Sequence, residues 1–117
     1  MSQPSTDCLF CRIVAGEVPA DVVAESDLAV AFRDVNPQAP THVLVVPRRH
    51  VASGAELAEA SADALAEVVA LGARVAEREG LTDGYRTVFN TGAAAGQTVF
   101  HAHLHVLGGR DLAWPPG

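Results

Sequence analysis

Histidine and apolar residues alternate along residues 99–107, near the end of the chain. The histidines occupy every second position: His101, His103 and His105. Apolar side chains lie between and after them: Ala102, Leu104 and Val106. Because successive side chains of a β-strand point to opposite faces, this pattern predicts a strand with three imidazoles on one face and an apolar opposite face. Gly108-Gly109 is expected to end the strand.

Four other short segments have the composition of strands: residues 22–25, 28–32, 42–46 and 85–89. Ser26-Asp27 lies between the first two and suits the tight turn of a hairpin. Residues 34–41 contain two prolines, which cannot join an interior strand, so we expect a loop there. Pro47 is expected to close the third strand, and a glycine-rich loop over residues 90–97 follows the fourth.

Two segments predict helices. Residues 8–16 suit a short helix or turn that ends at Gly16. Farther along, apolar or small residues recur at intervals of three and four, as is typical of an amphipathic helix: Leu65, Val68, Gly72 and Val75. Gly80 is a suitable end for this helix. Ser53 begins a Ser-x-x-Glu capping box, but Ser61 is also a suitable first residue, so the sequence leaves the start open.

The order of these elements, with hairpin-length links, predicts an α+β domain. We expect an antiparallel sheet of about five strands with one long helix and a short N-terminal helix, the helices lying on one face. The 117 residues are expected to form a single domain over residues 1–117. Residues 1–7 are expected to be flexible, and residues 111–117 to form a C-terminal tail.

Composition narrows the range of functions. The formal net charge of −6 argues against a broad surface for nucleic acid, although it leaves room for one small phosphate held by local donors. The sequence contains neither a secretory apolar segment nor a run approaching the roughly 18 apolar residues that span a membrane. We therefore expect a cytoplasmic protein with no nucleic-acid or membrane partner.

The alternating histidines admit three interpretations. They are ordinary surface or core residues, or neighbouring imidazoles hold a metal ion with a third ligand. In the third interpretation one imidazole attacks phosphorus or a carbonyl carbon, and a second handles the proton of the leaving group. Three histidines in strict alternation disfavour the first interpretation, and the residues alone leave the other two open.

The two cysteines, Cys8 and Cys11, have the Cys-x-x-Cys spacing of half a zinc site. The same spacing is found in redox pairs, and two buried thiols are a third interpretation. A zinc site needs two further ligands, which the spacing of the cysteines does not identify.

Residues 101–107 resemble the His-φ-His-φ-His-φ-φ motif (φ, apolar) of the histidine triad (HIT) family. Four further segments resemble its Hint branch, the histidine triad nucleotide-binding proteins: residues 32–42 (with Pro-Gln-Ala-Pro-Thr-His), 96–97, 107–110 and 114–117. The likeness runs from about residue 8 to the end of the chain. It implies a HIT-like α+β fold and a homodimer in which two sheets join into one continuous sheet.

The resemblance implies an enzyme that transfers or hydrolyses the nucleotidyl group of purine nucleoside phosphoramidates, with an AMP-like product. By this likeness His103 attacks the α-phosphate and forms a nucleotidyl-histidine that water cleaves. His105 contacts the phosphate and assists proton transfer, and Thr98 supplies a hydroxyl near the phosphate or leaving group. His42 would be linked to the first triad histidine in a proton relay; the alternative is an ordinary histidine at the start of a strand.

The resemblance also implies a set of nucleotide-binding residues. Asp34 matches a ribose-binding acid, although an Asx turn into Asn36-Pro37 is the alternative for this carboxylate. Four apolar residues match the walls of a purine pocket, where the pattern alone would place them in the core: Phe10, Ile13, Phe32 and Val35. A polar contact and backbone N–H donors to the phosphate complete the set: Asn90, Gly96, Gln97 and Thr98.

Bacterial-type members of the family pair such cysteines with the histidine of a Pro-x-x-His segment and with the first triad histidine. The resemblance therefore implies a structural zinc on four ligands: Cys8, Cys11, His50 and His101. A Cys₂His₂ set closes a tetrahedral site, which leaves no open position for catalysis. His101 is then structural, and the chemistry belongs to His103 and His105.

Trp114-Pro115-Pro116 resembles a tail that in Hint relatives approaches the partner's active site and influences substrate choice. A rigid, polyproline-like surface tail is the alternative. Three rival functions remain at the level of the sequence. They are a nucleotide-binding regulatory module with little activity, a dinucleoside polyphosphate hydrolase, and a hydrolase whose three triad histidines bind one catalytic zinc.

Overall fold

The computed structural model describes residues 7–117, so the expected flexibility of residues 1–7 falls almost wholly outside the described residues. The elements are α1 (Leu9–Val14), β1 (Val22–Glu25), β2 (Ala29–Arg33), β3 (Thr41–Pro47), α2 (Gly54–Ala60), α3 (Ala62–Arg78), β4 (Tyr85–Phe89), a 3₁₀ turn (Ala93–Ala95) and β5 (Leu104–Gly108). The strands form one antiparallel sheet in the order β1-β2-β3-β5-β4. The predicted α+β class and five-stranded sheet are confirmed. The division into one domain over residues 1–117 with a tail from residue 111 stays a prediction.

The last strand lies inside the sheet, between β3 and β4. His105 of β5 pairs with Leu44 of β3 on one side and with Val88 of β4 on the other. An interior strand has both edges hydrogen-bonded, so its side chains are held more firmly than those of an edge strand. The backbone that carries the last triad histidine is therefore fixed on both sides.

Ser53 and Ser61, the two candidate first residues of the predicted helix, each cap a helix. Ser53 Oγ accepts from the N–H of Glu56 (3.2 Å) and begins α2. Ser61 is extended (φ −162°), ends α2, and accepts through Oγ from the N–H of Ala64 (3.1 Å) at the start of α3. The single helix expected from the periodicity is thus two helices, because the second capping serine interrupts the first.

The helices lie on both faces of the sheet, and the expectation that they share one face is wrong. Helices α2 and α3 cover the face that carries Val43, Val45, Leu104 and Val106. The short helix α1 covers the opposite face, where Phe10 packs with Val30, Phe32, Leu44 and Val46. Helix α3 lies close to the sheet at Gly72, where a Cβ atom would be 3.2 Å from Leu104 Cδ2 and 3.3 Å from Val106 Cγ2.

The triad segment is a strand only in its second half, so the predicted strand over residues 99–107 is wrong at its start. Residues 99–103 lie outside the sheet, and β5 begins at Leu104. Here the backbone bonds elsewhere: the N–H of Ala102 donates to the carbonyl of Val51 (2.7 Å), and Gln97 Nε2 donates to the carbonyl of Val99 (3.0 Å). His101 and His103 therefore stand in an irregular segment that leads into the sheet.

Within residues 7–117, none of the helices has the length and apolar character needed to cross a bilayer.

Candidate active site and metal centre

Four predicted metal ligands converge at the N-terminal end of α1. Their ligand atoms all lie within 4.8 Å of one another: those of Cys8, Cys11, His50 and His101. Cys8 is the N-cap of α1 and Cys11 lies in its first turn, so the helix itself brings the two sulfurs together. His50 follows β3, and His101 precedes β5. The cluster joins the N-terminal helix to the centre of the sheet.

The donor set fits a tetrahedral zinc ion. Cys11 Sγ lies 3.2 Å from His50 Nδ1 and 3.5 Å from His101 Nδ1, and the two Nδ1 atoms are 3.2 Å apart. A zinc ion with bonds of about 2.0–2.3 Å separates its ligand atoms by roughly 3.3–3.7 Å. Two neutral imidazole nitrogens that face each other this closely repel unless a proton or cation lies between them.

Hydrogen bonds and burial leave these ligands in a state that can bind a cation. His101 Nε2–H donates to the carbonyl of Pro47 (2.9 Å), which leaves Nδ1 with a free electron pair toward the cluster. Burial lowers the pKa of His101 to about 4, so this imidazole is neutral, as a metal ligand must be. The N–H of Cys11 donates to Cys8 Sγ (3.4 Å), which holds this sulfur in place at the start of α1.

A hydrogen bond to the main chain fixes the tautomer of neutral His103. Its Nδ1 lies 2.7 Å from the carbonyl oxygen of His101, and a carbonyl only accepts, so Nδ1 carries the proton. Neutral His103 therefore has its free electron pair on Nε2. The side chain is 9% exposed, and the ring of Phe10 meets it edge-on at 5.0 Å between centroids. This is the state that a nucleophilic imidazole requires.

His105 is in the opposite tautomer. The N–H of Gln38 donates to His42 Nδ1 (3.0 Å), so His42 carries its proton on Nε2. His42 Nε2 lies 2.9 Å from His105 Nδ1 and donates to it, which leaves the proton of His105 on Nε2. The expected link from His42 to the first triad histidine is corrected: the contact is with the third, because His42 and His105 share one face of adjacent strands.

Burial keeps this histidine pair neutral at neutral pH. Burial, together with the neighbouring His103 and His42, lowers the pKa of His105 to about 4, against the opposing effect of Asp34. Burial also lowers the pKa of His42, against the opposing effect of Asp34. Asp34 Oδ2 lies 3.4 Å from His42 Nε2, so Asp34, His42 and His105 form a second close cluster, whose spacing the hydrogen bonds already explain.

The predicted nucleotide-binding residues occupy contrasting environments. Asp34 Oδ1 accepts from the N–H of Asn36 (2.8 Å), so the Asx turn that was the alternative for this residue is present. Phe10 and Phe32 are buried and meet edge-to-face at 5.4 Å, while Ile13 is partly buried beside them. Val35 is fully exposed. The aromatic pair thus belongs to the core of the sheet face that carries the triad, and its role toward a purine stays a prediction.

The glycine-rich loop is organised by its own hydrogen bonds. The N–H groups of Gly96 and Gln97 donate to the carbonyls of Ala93 (3.0 Å) and Gly92 (3.2 Å). The buried Gln97 side chain accepts from the N–H of Gly92 and donates to the carbonyl of Ala52 (2.6 Å). These two backbone donors are engaged within the loop, which differs from the expected phosphate nest.

Two further predicted residues flank this loop. Thr98 is exposed at its end, and Asn90 is half-buried at its start. The groups that fix the histidine tautomers were not among the predicted site residues: they are the N–H of Gln38 and the carbonyls of His101 and Pro47. They belong to the main chain, and no residue type signals them.

Residues 15–112 match the model of the HIT domain family. An uncharacterized HIT-like protein of Synechococcus elongatus is 52% identical over 113 residues, which cover 97% of this chain and 99% of that protein. A 14 kDa zinc-binding protein of Zea mays is 44% identical over 113 residues, which cover 93% of this chain and 87% of that protein.

Solved structures of HIT proteins are also similar to this chain. A HIT family hydrolase from Legionella pneumophila superposes with a TM-score of 0.90 at 47% identity, covering 95% of this chain and 100% of that one. A zinc-bound histidine triad family protein from Mycobacterium smegmatis gives 0.77 at 37% identity (92% and 81% covered). A histidine triad nucleotide-binding protein from Candida albicans gives 0.80 at 29% identity (93% and 83% covered). Together with the family match over most of its length, these likenesses show that the chain belongs to the HIT domain family.

Proposed function

We propose that this protein hydrolyses purine nucleoside phosphoramidates at the α-phosphate through a nucleotidyl-His103 intermediate. One observation carries the proposal: two adjacent triad histidines are held in opposite tautomers. His103 offers a free electron pair on Nε2, and His105 offers an N–H on the same ring position. Their ring centroids are 5.0 Å apart, which suits one phosphoryl group in contact with both. The hydrolase name of the Legionella pneumophila relative supports the reaction class.

In the first step His103 Nε2 forms a bond to the α-phosphorus and the phosphorus–nitrogen bond of the substrate breaks. The leaving nitrogen takes the electron pair of that bond, and from the N-protonated phosphoramidate it departs as ammonia. The phosphorylated imidazole is cationic, and its Nδ1–H faces the carbonyl of His101, which stabilises the positive charge. His105 Nε2–H donates to a phosphoryl oxygen.

In the second step a water oxygen forms a bond to phosphorus and the bond to His103 Nε2 breaks. The imidazole recovers its electron pair, the water loses one proton to solvent, and AMP is released. Because His103 Nδ1–H stays bonded to a backbone carbonyl throughout, the same tautomer is ready for the next cycle. The protein's contribution is to place the reacting groups and to stabilise the charge that develops on them.

The nucleotide would lie against the face of the sheet that carries the triad. Phe10, Ile13, Phe32 and Val35 would flank the purine, and Asp34 would accept from the ribose hydroxyls. A polar loop beside the phosphate would be formed by Asn90, Gly96, Gln97 and Thr98. The Candida albicans relative, a histidine triad nucleotide-binding protein, supports this class of ligand. The preference for AMP-like compounds belongs to the proposal.

We further propose that Cys8, Cys11, His50 and His101 hold a structural zinc ion. The four donors fit a tetrahedral ion, and the Zea mays and Mycobacterium smegmatis relatives are described as zinc-binding and zinc-bound. Four protein ligands leave no position for substrate, so the metal would tie α1 to the triad segment. Cysteines that hold a metal ion rather than a disulfide are typical of a reducing compartment, which supports a cytoplasmic location.

The homodimer is also part of the proposal. Within the described sheet β4 pairs only with β5, so its other edge is available to a second copy of the chain. Tyr85 of this strand and Val69 of α3 are exposed, as an apolar interface between copies requires.

Arg86 donates to the carbonyl of Ala113 (2.8 Å) and so holds the start of the tail against the sheet. Trp114, 82% exposed, is free to meet a partner subunit.

The function is tested by a panel of substrates. We expect adenosine 5′-phosphoramidate to be converted into AMP and ammonia, with kcat/KM at least about tenfold above that for a diadenosine polyphosphate. The reverse preference would favour the dinucleoside polyphosphate hydrolase. Binding of AMP with no turnover of either compound would favour the regulatory binding module.

A further inference from the structure

The loop between β2 and β3 places one main-chain donor against His42. The N–H of Gln38 donates to His42 Nδ1 (3.0 Å), on the side of the ring away from His105. A backbone amide can donate but cannot accept, so it excludes the tautomer of His42 with a proton on Nδ1. His42 must then donate from Nε2 to His105 Nδ1, 2.9 Å away.

The hydrogen bond from His42 in turn fixes the tautomer of His105. Its Nδ1 is occupied as an acceptor, so the neutral ring has its single proton on Nε2. Burial lowers the pKa of His105 to about 4, which makes the neutral ring the relevant form at pH 7. An imidazolium at this position would need an acceptor for Nδ1–H, and His42 has no free electron pair to offer there.

The main chain at Gln38 is held in place by Arg110, which follows the strand that carries His105. Arg110 stands two residues beyond Gly108, the last residue of β5. Its Nε and Nη2 donate to the carbonyl of Gln38 (3.3 and 3.0 Å), and its Nη1 donates to the carbonyl of Asp111 (3.0 Å). Two donors of one planar guanidinium fix the acceptor in direction as well as in distance.

We propose that the main-chain N–H of Gln38, braced by Arg110, is a positioning group that locks His105 as a hydrogen-bond donor to the transferred phosphoryl group. The inference rests on the proposed hydrolase function and narrows the role of His105 within it. His105 holds the phosphoryl oxygen through Nε2–H and stabilises the charge that develops there. It does not supply the proton of the leaving group, which departs as ammonia from the N-protonated substrate.

Two variants of one residue separate the main-chain donor from the side chain. Gln38→Pro removes the N–H, whereas Gln38→Ala keeps it and removes only the side-chain hydrogen bond to the carbonyl of Asn36 (3.0 Å). Imidazole ¹⁵N–¹H correlation NMR of the full chain at pH 7 reports which ring nitrogen carries the proton. We expect Nε2–H for His42 and His105 in the wild type and in Gln38→Ala, and a mixture of tautomers in Gln38→Pro.

Kinetics add a second readout. We expect kcat for adenosine 5′-phosphoramidate to fall about tenfold or more in Gln38→Pro, with the Kd for AMP within about twofold of the wild type. Gln38→Ala should keep wild-type kcat. An unchanged tautomer of His105 in Gln38→Pro overturns the proposal, whatever the activity. An inactive wild type rejects the proposed hydrolase function, while the NMR comparison, which needs no turnover, still decides whether the lock exists.

If Gln38→Pro does not fold, Arg110→Ala takes its place, with Arg110→Lys as the conservative variant. We expect Arg110→Ala to shift part of the His105 population to the other tautomer and to lower kcat about threefold. Arg110→Lys should have a smaller effect on both quantities. If Arg110 only supported the loop, Arg110→Ala would lower the thermal stability without changing the tautomer of His105. That result in Arg110→Ala would contradict the proposal.

Discussion

Replacing His103 by alanine is expected to lower kcat/KM for adenosine 5′-phosphoramidate by roughly four orders of magnitude or more. The substitution removes the Nε2 electron pair that forms the bond to phosphorus, and the buried site offers no second nitrogen in the same tautomer: His105 presents Nε2–H there. The Kd for AMP should stay within a few-fold of the wild-type value, because the proposed contacts with base and ribose are untouched. Steady-state kinetics and calorimetric titration with AMP measure the two quantities.

A packing control separates chemistry from stability. Val46 is fully buried in the same cluster as Phe10, and Val46→Ala removes core volume without removing a donor or acceptor. We expect Val46→Ala to lose thermal stability and to keep activity within about tenfold of the wild type. If His103→Ala retains a tenth of wild-type activity, the nucleophile is misassigned and the hydrolase with a catalytic zinc on the triad must be reconsidered.

Replacing Cys11 by serine is expected to abolish zinc binding and to destabilise the protein by about 3 kcal/mol or more. Cys11 is buried and touches both histidines of the cluster, so it has no substitute among the described ligands. Helix α1 has six residues, too few to be stable without packing or a metal. For a domain of this size the change corresponds to a fall in Tm of roughly 10 °C or more, measured by calorimetry beside zinc analysis.

A chelator supplies the matched control for Cys11→Ser. It should lower the Tm of the wild type toward that of the variant and leave the Tm of the variant unchanged. Activity should fall with the zinc content, because His101, a proposed ligand, also holds the Nδ1–H of His103 through its carbonyl. Wild-type protein purified without chelator that contains no zinc would favour inert thiols, and a Cys8–Cys11 disulfide would favour the redox pair.

Much of the fold follows from local patterns in the sequence. The limits of β1, β4 and the Ser26-Asp27 turn are close to those predicted, because strand composition and turn residues are local signals. The helix start was ambiguous because Ser53 and Ser61 carry the same capping chemistry, and the structure uses both. Which face of the sheet α1 covers could not be read from six residues, whose pattern shows an apolar side without naming its partner.

The residues of the site were easier to predict than their connections. The resemblance to the HIT family implied the four members of the metal cluster, whereas the Cys-x-x-Cys spacing alone implied only two of them. The partner of His42 depends on the register of β3 against β5, which no local pattern fixes. The strand alternation alone placed three histidines on one face and did not distinguish between them. The structure makes them different: His101 faces the cysteines, His103 bonds to a carbonyl, and His105 bonds to His42.

The stereochemical course at phosphorus tests the account most directly. Hydrolysis of a phosphoramidate analogue that is chiral at phosphorus, in isotopically labelled water, shows whether the α-phosphorus keeps its configuration. Transfer to His103 and then to water comprises two displacements, each with inversion, so the account predicts net retention. Net inversion would mean that water attacks the substrate directly, and the nucleotidyl-His103 intermediate would be excluded.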